Sequence, residues 1–159
     1  MSKRSNKSPY PEMPKDNFKY VESCLRYYHK NIEKVEELKQ RIIESNRRSK
    51  DGWADENEFL GIRSTNKESP TLLKTIAIDD DIRIERLQTL VSAVGYVISN
   101  LPNTAEEPYM DLIKLRYWEV RRRLTMIGIA NELCISERTA YRMRKRIIYL
   151  IGKELGEWE

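Results

Sequence analysis

Two helical stripes with almost no chain between them constrain this sequence more than any other feature. In LTMIGIANELCISERTAYRMRKRII, Leu124 to Ile148, Thr125 stands at an N-cap position ahead of Ile127, Ile129, Ala130 and Leu133. LCIS ends that helix, Ser136 caps the next, and Glu137 suits the positive end of the second macrodipole. Two helices joined by three or four residues form a helix-turn-helix, the alternative being an ordinary helical hairpin with a basic surface. Ala130 is small where the helices must approach, and Ile135 is an apolar plug in the turn. Ala140, Met143, Ile147, Ile151 and Leu155 give the second helix a continuous inward stripe. Cys134 occupies the turn position that this motif often fills with glycine.

Removing the inward stripe leaves Arg138, Tyr141, Arg142 and Lys145 on the outer face, at i, i+3, i+4 and i+7. Ser136, Glu137 and Thr139 complete the exposed end of that helix. A recognition helix presents base-reading and phosphate-reading groups in this way. Arg138 or Arg142 can reach guanine O6 and N7 with a planar guanidinium, and Tyr141 suits a phosphate or a thymine methyl. Arg144 and Arg146 lie elsewhere on the helix, as flanking phosphate contacts or solvated groups. Arg121, Arg122 and Arg123, just before the motif, either grip the DNA backbone or form a solvated loop. Glu137 is a helix-capping residue before it is an acceptor for cytosine.

The charge distribution agrees with a polyanionic partner for the C-terminal part. The chain of 159 residues carries +4 overall, but Asp111 to Lys153 holds eleven Lys/Arg against four Asp/Glu, a balance of +7. The remainder is therefore −3, which suits a face turned towards protein. Several function classes are not expected. A single histidine (His29) and two distant cysteines supply no zinc ligand set. There is no glycine-rich phosphate loop and no nucleophile–histidine arrangement, so neither enzymatic activity nor a cofactor is expected. No apolar run approaches the roughly 18 residues of a membrane span. The expected setting is the cytoplasm, with no membrane partner. Cys24 and Cys134 read as small buried hydrophobes.

The rest of the chain is expected to be helical too. Residues 1–15 hold three prolines and several cations, and read as a disordered basic arm. Asp16 is a candidate cap for a helix carrying Phe18, Val21, Leu25, Tyr28, Ile32, Val35, Leu38 and Ile42, which ends near Asn46. Periodicity is lost over 47–70, a polar linker containing Trp53, and resumes near Thr71. Leu73, Ile76, Ile84, Leu87, Val91, Val94, Ile98 and Leu101 then follow three-four spacing, interrupted by Asp79 to Asp81. Thr104 and Glu107 have capping-box spacing ahead of a short helix reaching Trp118. The fold class expected is all-α: a long N-terminal helical hairpin over 16–101, then a helix-turn-helix domain over 102–159. The hairpin is the segment expected to dimerise or to contact RNA polymerase.

The sequence resembles known families at LIKLRYWEVRRRLTMIGIANELCISERTAYRMRKRI. That stretch is similar to the helix-turn-helix of bacterial sigma-factor region 4, in Leu112 to Trp118, Thr125 to Ala130 and Ser136 to Thr139. The whole layout resembles the RinA-type phage transcriptional activators. Tyr28 and His29, Trp53, Ile135 to Ala140, Arg142 to Ile147 and Glu154 to Glu157 carry that resemblance. It implies a phage or prophage late-gene activator whose DNA contacts include Arg138, Tyr141, Arg142 and Lys145. The partners implied are double-stranded DNA and host RNA polymerase, with a homodimer as a further candidate.

Two other readings share part of this pattern. A true sigma factor needs a second promoter-binding module, for which 16–101 is too short and too acidic. A small terminase subunit combines similar helical parts but typically carries its DNA module near the N-terminus. The full set of expected DNA-contacting residues is Thr125, Ser136, Arg138, Thr139, Tyr141, Arg142, Lys145 and Arg146, with Arg122 and Arg123.

Overall fold

A computed structural model describes residues 10–51, 70–119 and 124–158, and these are predominantly helical. The elements are α1 (Lys15–Arg26), α2 (Tyr28–Asp51), α3 (Pro70–Asn100), α4 (Tyr109–Ile113), α5 (Met126–Glu132) and α6 (Glu137–Glu154). A single π-helical turn, Lys114–Trp118, continues α4. Among the described residues there is no strand, only an isolated bridge between Asn103 and Pro108. None of their helices is long and apolar enough to cross a membrane.

The described residues divide into two compact units. One contains those up to Tyr28 and those from Leu90 onwards, and the other contains those between His29 and Thr89. The larger unit has a core to which every one of its helices contributes. Val21 and Leu25 of α1, Val94 of α3, Leu112 and Ile113 of α4, Ile129 of α5, and Met143, Ile147 and Ile151 of α6 are all buried there. In the smaller unit, Val35 and Leu38 of α2 bury Ile84 of α3, flanked by Ile42 and Leu87.

The helix expected to run unbroken from Asp16 is broken at Tyr27. There the Trp118 indole N–H donates to the Leu25 carbonyl at 3.1 Å, taking an acceptor that an uninterrupted helix would use itself. The Tyr28 ring stacks on Trp118 with centroids 5.9 Å apart. Its hydroxyl lies where a Cβ on Gly95 would come within 3.1 Å, so the α3 glycine admits the phenol. Asp16 does not cap α1. The N-cap is Pro14, with no side-chain bond, and Asp16 sits in the first turn.

Within the stretch expected to be a basic arm, Tyr10 packs on Tyr149 at 5.3 Å, Met13 lies against the core, and α1 starts at Lys15. The remainder of the basic arm lies outside the described residues. The three aspartates do not interrupt α3, because Asp80 is buried and its Oδ1 meets Arg41 Nη1 at 3.5 Å while Asp81 stays exposed. α2 runs past Asn46 to Asp51 and α3 begins at Pro70, so most of the polar linker, including Trp53, lies outside the described residues. Thr104 and Glu107 do bond to each other, Thr104 Oγ1 accepting from the Glu107 N–H at 3.1 Å. They close a turn ahead of α4 rather than capping it, and Pro108 holds the N-cap position. Cys24 is buried as expected, but Cys134 is exposed.

Candidate nucleic-acid interface

Two side-chain caps start α5 and α6. Thr125 Oγ1 accepts from the Gly128 N–H at 3.2 Å, and Ser136 Oγ accepts from the Thr139 N–H at 3.1 Å. Ser136 and Thr139 also share a hydroxyl–hydroxyl bond of 2.8 Å, which fixes the first turn of α6. Between these caps the backbone reverses through Leu133 to Ser136. The Ile135 N–H donates to the Ala130 carbonyl at 3.0 Å and the Cys134 N–H to the Asn131 carbonyl at 3.2 Å. This pair of bonds is a Schellman ending, and it requires a left-handed residue, here Cys134 at φ 54°. A residue with a Cβ thus holds the turn position that this motif often fills with glycine. Ile135 packs on the core, and Ala130 and Ala140 are buried where α5 meets α6.

With that corner fixed, α6 has a buried and an exposed side. Ala140, Met143, Ile147, Ile148 and Ile151 are fully buried. Arg138, Tyr141, Arg142 and Lys145 are exposed, with Tyr141 at 42% despite its aromatic ring. Ser136 and Thr125 are exposed as well, and Thr139 is half-buried. Ile127 on α5 is likewise exposed, at 54%. Arg122 and Arg123, with Arg121, lie outside the described residues.

The remaining cations of the basic run have different surroundings. Arg144 points to α1, where its Nη2 donates to Glu22 Oε1 at 2.7 Å and its Nε to the same oxygen at 3.0 Å. The Tyr117 hydroxyl donates to that oxygen at 2.8 Å, and the Arg144 guanidinium lies 5.1 Å from the centroid of the Phe18 ring. Burial pushes the Glu22 carboxyl up, but the bonds from Arg144 and Tyr117 and the charges of Arg144 and Arg116 outweigh it. The net effect holds Glu22 below its usual range. Burial also drives the Tyr117 phenol far above its ordinary value, so it remains a hydrogen-bond donor. Arg144 is therefore a clamp between α1 and α6 and is turned away from the exposed quartet.

Arg146 is half-committed. Its Nη1 donates to the Tyr109 hydroxyl at 3.1 Å and pairs with Glu107 Oε2 at 3.6 Å, and its guanidinium lies 5.5 Å from the Tyr109 ring centroid. Glu107 uses its other oxygen for Arg142, accepting from Nη2 at 3.1 Å. One carboxylate from the turn before α4 thus bridges two arginines one helical turn apart on α6. The sequence points to Arg142 by spacing and to Arg146 as a flanking contact, but not to Glu107, which lies 35 residues from Arg142 and has no periodic relation to it. The only local sign was Glu107 beside Pro108, at the start of an element that must pack on α6.

The end of α6 is also built. Gly156, at φ 73°, closes a second Schellman ending, with the Glu157 N–H on the Gly152 carbonyl at 2.8 Å. Trp158 then folds back over Gly152, its indole N–H on the Tyr149 carbonyl at 2.9 Å. Asn17 of α1 donates to the Glu157 carbonyl and carboxylate. Among the described residues no group of His, Cys, Asp and Glu can hold a metal ion.

No curated protein and no solved structure matches the chain. A family model does match, across residues 21–153, a span that includes α6 up to its last turn and the Glu107 turn. The chain belongs to that family, described as "Protein of unknown function (DUF722)".

Proposed function

We propose that this chain is a sequence-specific double-stranded DNA-binding protein that activates transcription of phage or prophage late genes. In this reading α5, the Cys134 turn and α6 are the helix-turn-helix, and α6 enters the major groove. The α2–α3 region is the hairpin that dimerises or contacts host RNA polymerase. The observation that carries the DNA-binding part is the exposed set Arg138, Tyr141, Arg142 and Lys145 opposite a fully buried apolar stripe. Such a set offers two guanidiniums for guanine edges near the start of the helix and an ammonium for phosphate further along. Arg146, close to the same face and partly exposed, adds a phosphate contact. Thr125 and Ser136 contribute by fixing the two helix starts. Activation, late genes and the polymerase rest on the resemblance of the sequence to RinA-type activators and sigma-factor region 4. The reading assigns no catalysis and no cofactor.

The test is an electrophoretic titration of the full chain on duplexes from upstream of the genes that neighbour its own. A random duplex of equal length is run beside them across a range of salt. A specific regulator binds one of the upstream duplexes at least about 1,000-fold more tightly than the random one, with affinity falling steeply as salt rises. Equal binding to all duplexes overturns sequence specificity. No binding to any duplex overturns the DNA reading altogether.

A further inference from the structure

Glu107 is an acidic group placed inside a basic face. Its two oxygens engage Arg142 and Arg146, and its side chain is 28% exposed against 52% and 37% for the two arginines. We propose that Glu107 is a specificity-determining residue of the DNA-binding face. It withholds Arg142 from non-specific phosphate contacts and releases it only to a bidentate guanine edge. The proposal rests on the DNA-binding reading above.

A partly exposed ion pair is weak and comparable to one screened contact between a side chain and phosphate. Exchanging Glu107 for a phosphate therefore gives Arg142 little. A guanine presents two acceptors to one planar guanidinium, and this contact is stronger than the exposed pair it replaces. The carboxylate also lowers the local charge from two cations to a net of one, which reduces the counterion release available to any sequence. Both effects weaken random binding more than target binding. Arg146 remains anchored by Tyr109 throughout, so Glu107 keeps its place when Arg142 leaves it.

The experiment uses the full chain and duplexes with a randomised 20-base-pair core. Wild-type protein selects from this pool, and the most enriched duplex and the unselected pool then serve as probes by fluorescence anisotropy across salt. Glu107→Gln is expected to tighten binding of the unselected pool by roughly five- to tenfold. It should steepen the salt slope by about one and leave the enriched duplex within about threefold. Glu106→Gln, an exposed neighbour with the same charge change, controls for net charge. Thermal melting of both variants shows that they remain folded.

Several results would overturn the proposal while leaving the DNA reading intact. One is enrichment by wild type with Glu107→Gln unchanged on both probes. Another is an equal effect of Glu106→Gln. A third is loss of target binding by a folded Glu107→Gln protein. If wild type binds no duplex at all, the DNA reading fails and the role of Glu107 fails with it.

Discussion

Arg144 and Glu22 face each other at 2.7 Å across α6 and α1, and most of both side chains is buried, with exposures of 21% and 13%. The basic run of α6 is therefore not uniform. One of its arginines is a structural bolt, and two share Glu107.

The Glu22 bolt makes stability depend on pH with a definite sign. Its folded carboxyl titrates below the unfolded value, so its contribution is complete above the unfolded pKa of about 4.3. That contribution is lost as pH falls through the lower folded value. Glu22→Gln should cost about 2 kcal/mol at neutral pH, because Arg144 keeps its burial but loses its counter-charge. Urea denaturation of both proteins from pH 7 down to pH 3 checks this, and the two stabilities should converge towards the acid end. A difference that stays constant with pH would show that the pair does not provide the stabilisation.

Cys134 holds a left-handed conformation at φ 54° without being glycine. A Cβ is unfavourable there, and glycine adopts the conformation freely at some cost in unfolded-chain entropy. Cys134→Gly should therefore stabilise the protein by about 0.5–1 kcal/mol, and Cys134→Val should destabilise it by a similar amount or more. Chemical denaturation midpoints decide the order. If glycine is the less stable of the three, the turn does not depend on its backbone geometry.

Gly152 and Trp158 should show coupling with a change of sign. A Cβ on Gly152 would fall within the space of the Trp158 ring, so Gly152→Ala must displace the C-terminal fold-back. The expected loss is about 1–3 kcal/mol. In a Trp158→Ala background that ring is absent and the same change gains helix propensity, so it should stabilise by up to about 1 kcal/mol. A double-mutant cycle on melting measures this, and simple additivity would count against the packing described.

Arg142 and Arg146 should separate in a binding assay on the selected duplex. Arg142→Ala should cost about 1–3 kcal/mol and relax the preference at one base pair. Arg146→Ala should weaken target and random duplexes alike and reduce the salt slope by about one. Position-by-position base substitution in the duplex checks the first statement, and salt titration checks the second. Identical behaviour of the two variants would remove the distinction between base and phosphate roles.

What was legible in the sequence was local. Thr125 and Ser136 cap because a hydroxyl ahead of an apolar stripe reaches amides two or three residues on. Ala140 to Ile151 are buried because spacing of three and four residues puts them on one face. Arg138, Tyr141, Arg142 and Lys145 are exposed by subtraction from that face. None of this needs knowledge of the rest of the chain.

Tertiary structure decided everything that joins distant segments. It split the first helical run at Tyr27, because Trp118 brings an indole donor to the Leu25 carbonyl. It placed α1 with α6 through Glu22 and Arg144, and it folded Trp158 onto Gly152. It also brought Glu107 to Arg142 and Arg146. Periodicity shows which face of a helix is apolar but not which other helix covers it. The five cations from Arg138 to Arg146 look alike in the sequence, and only the packing of α1, of α4 and of the turn before it against α6 sets Arg142, Arg144 and Arg146 apart.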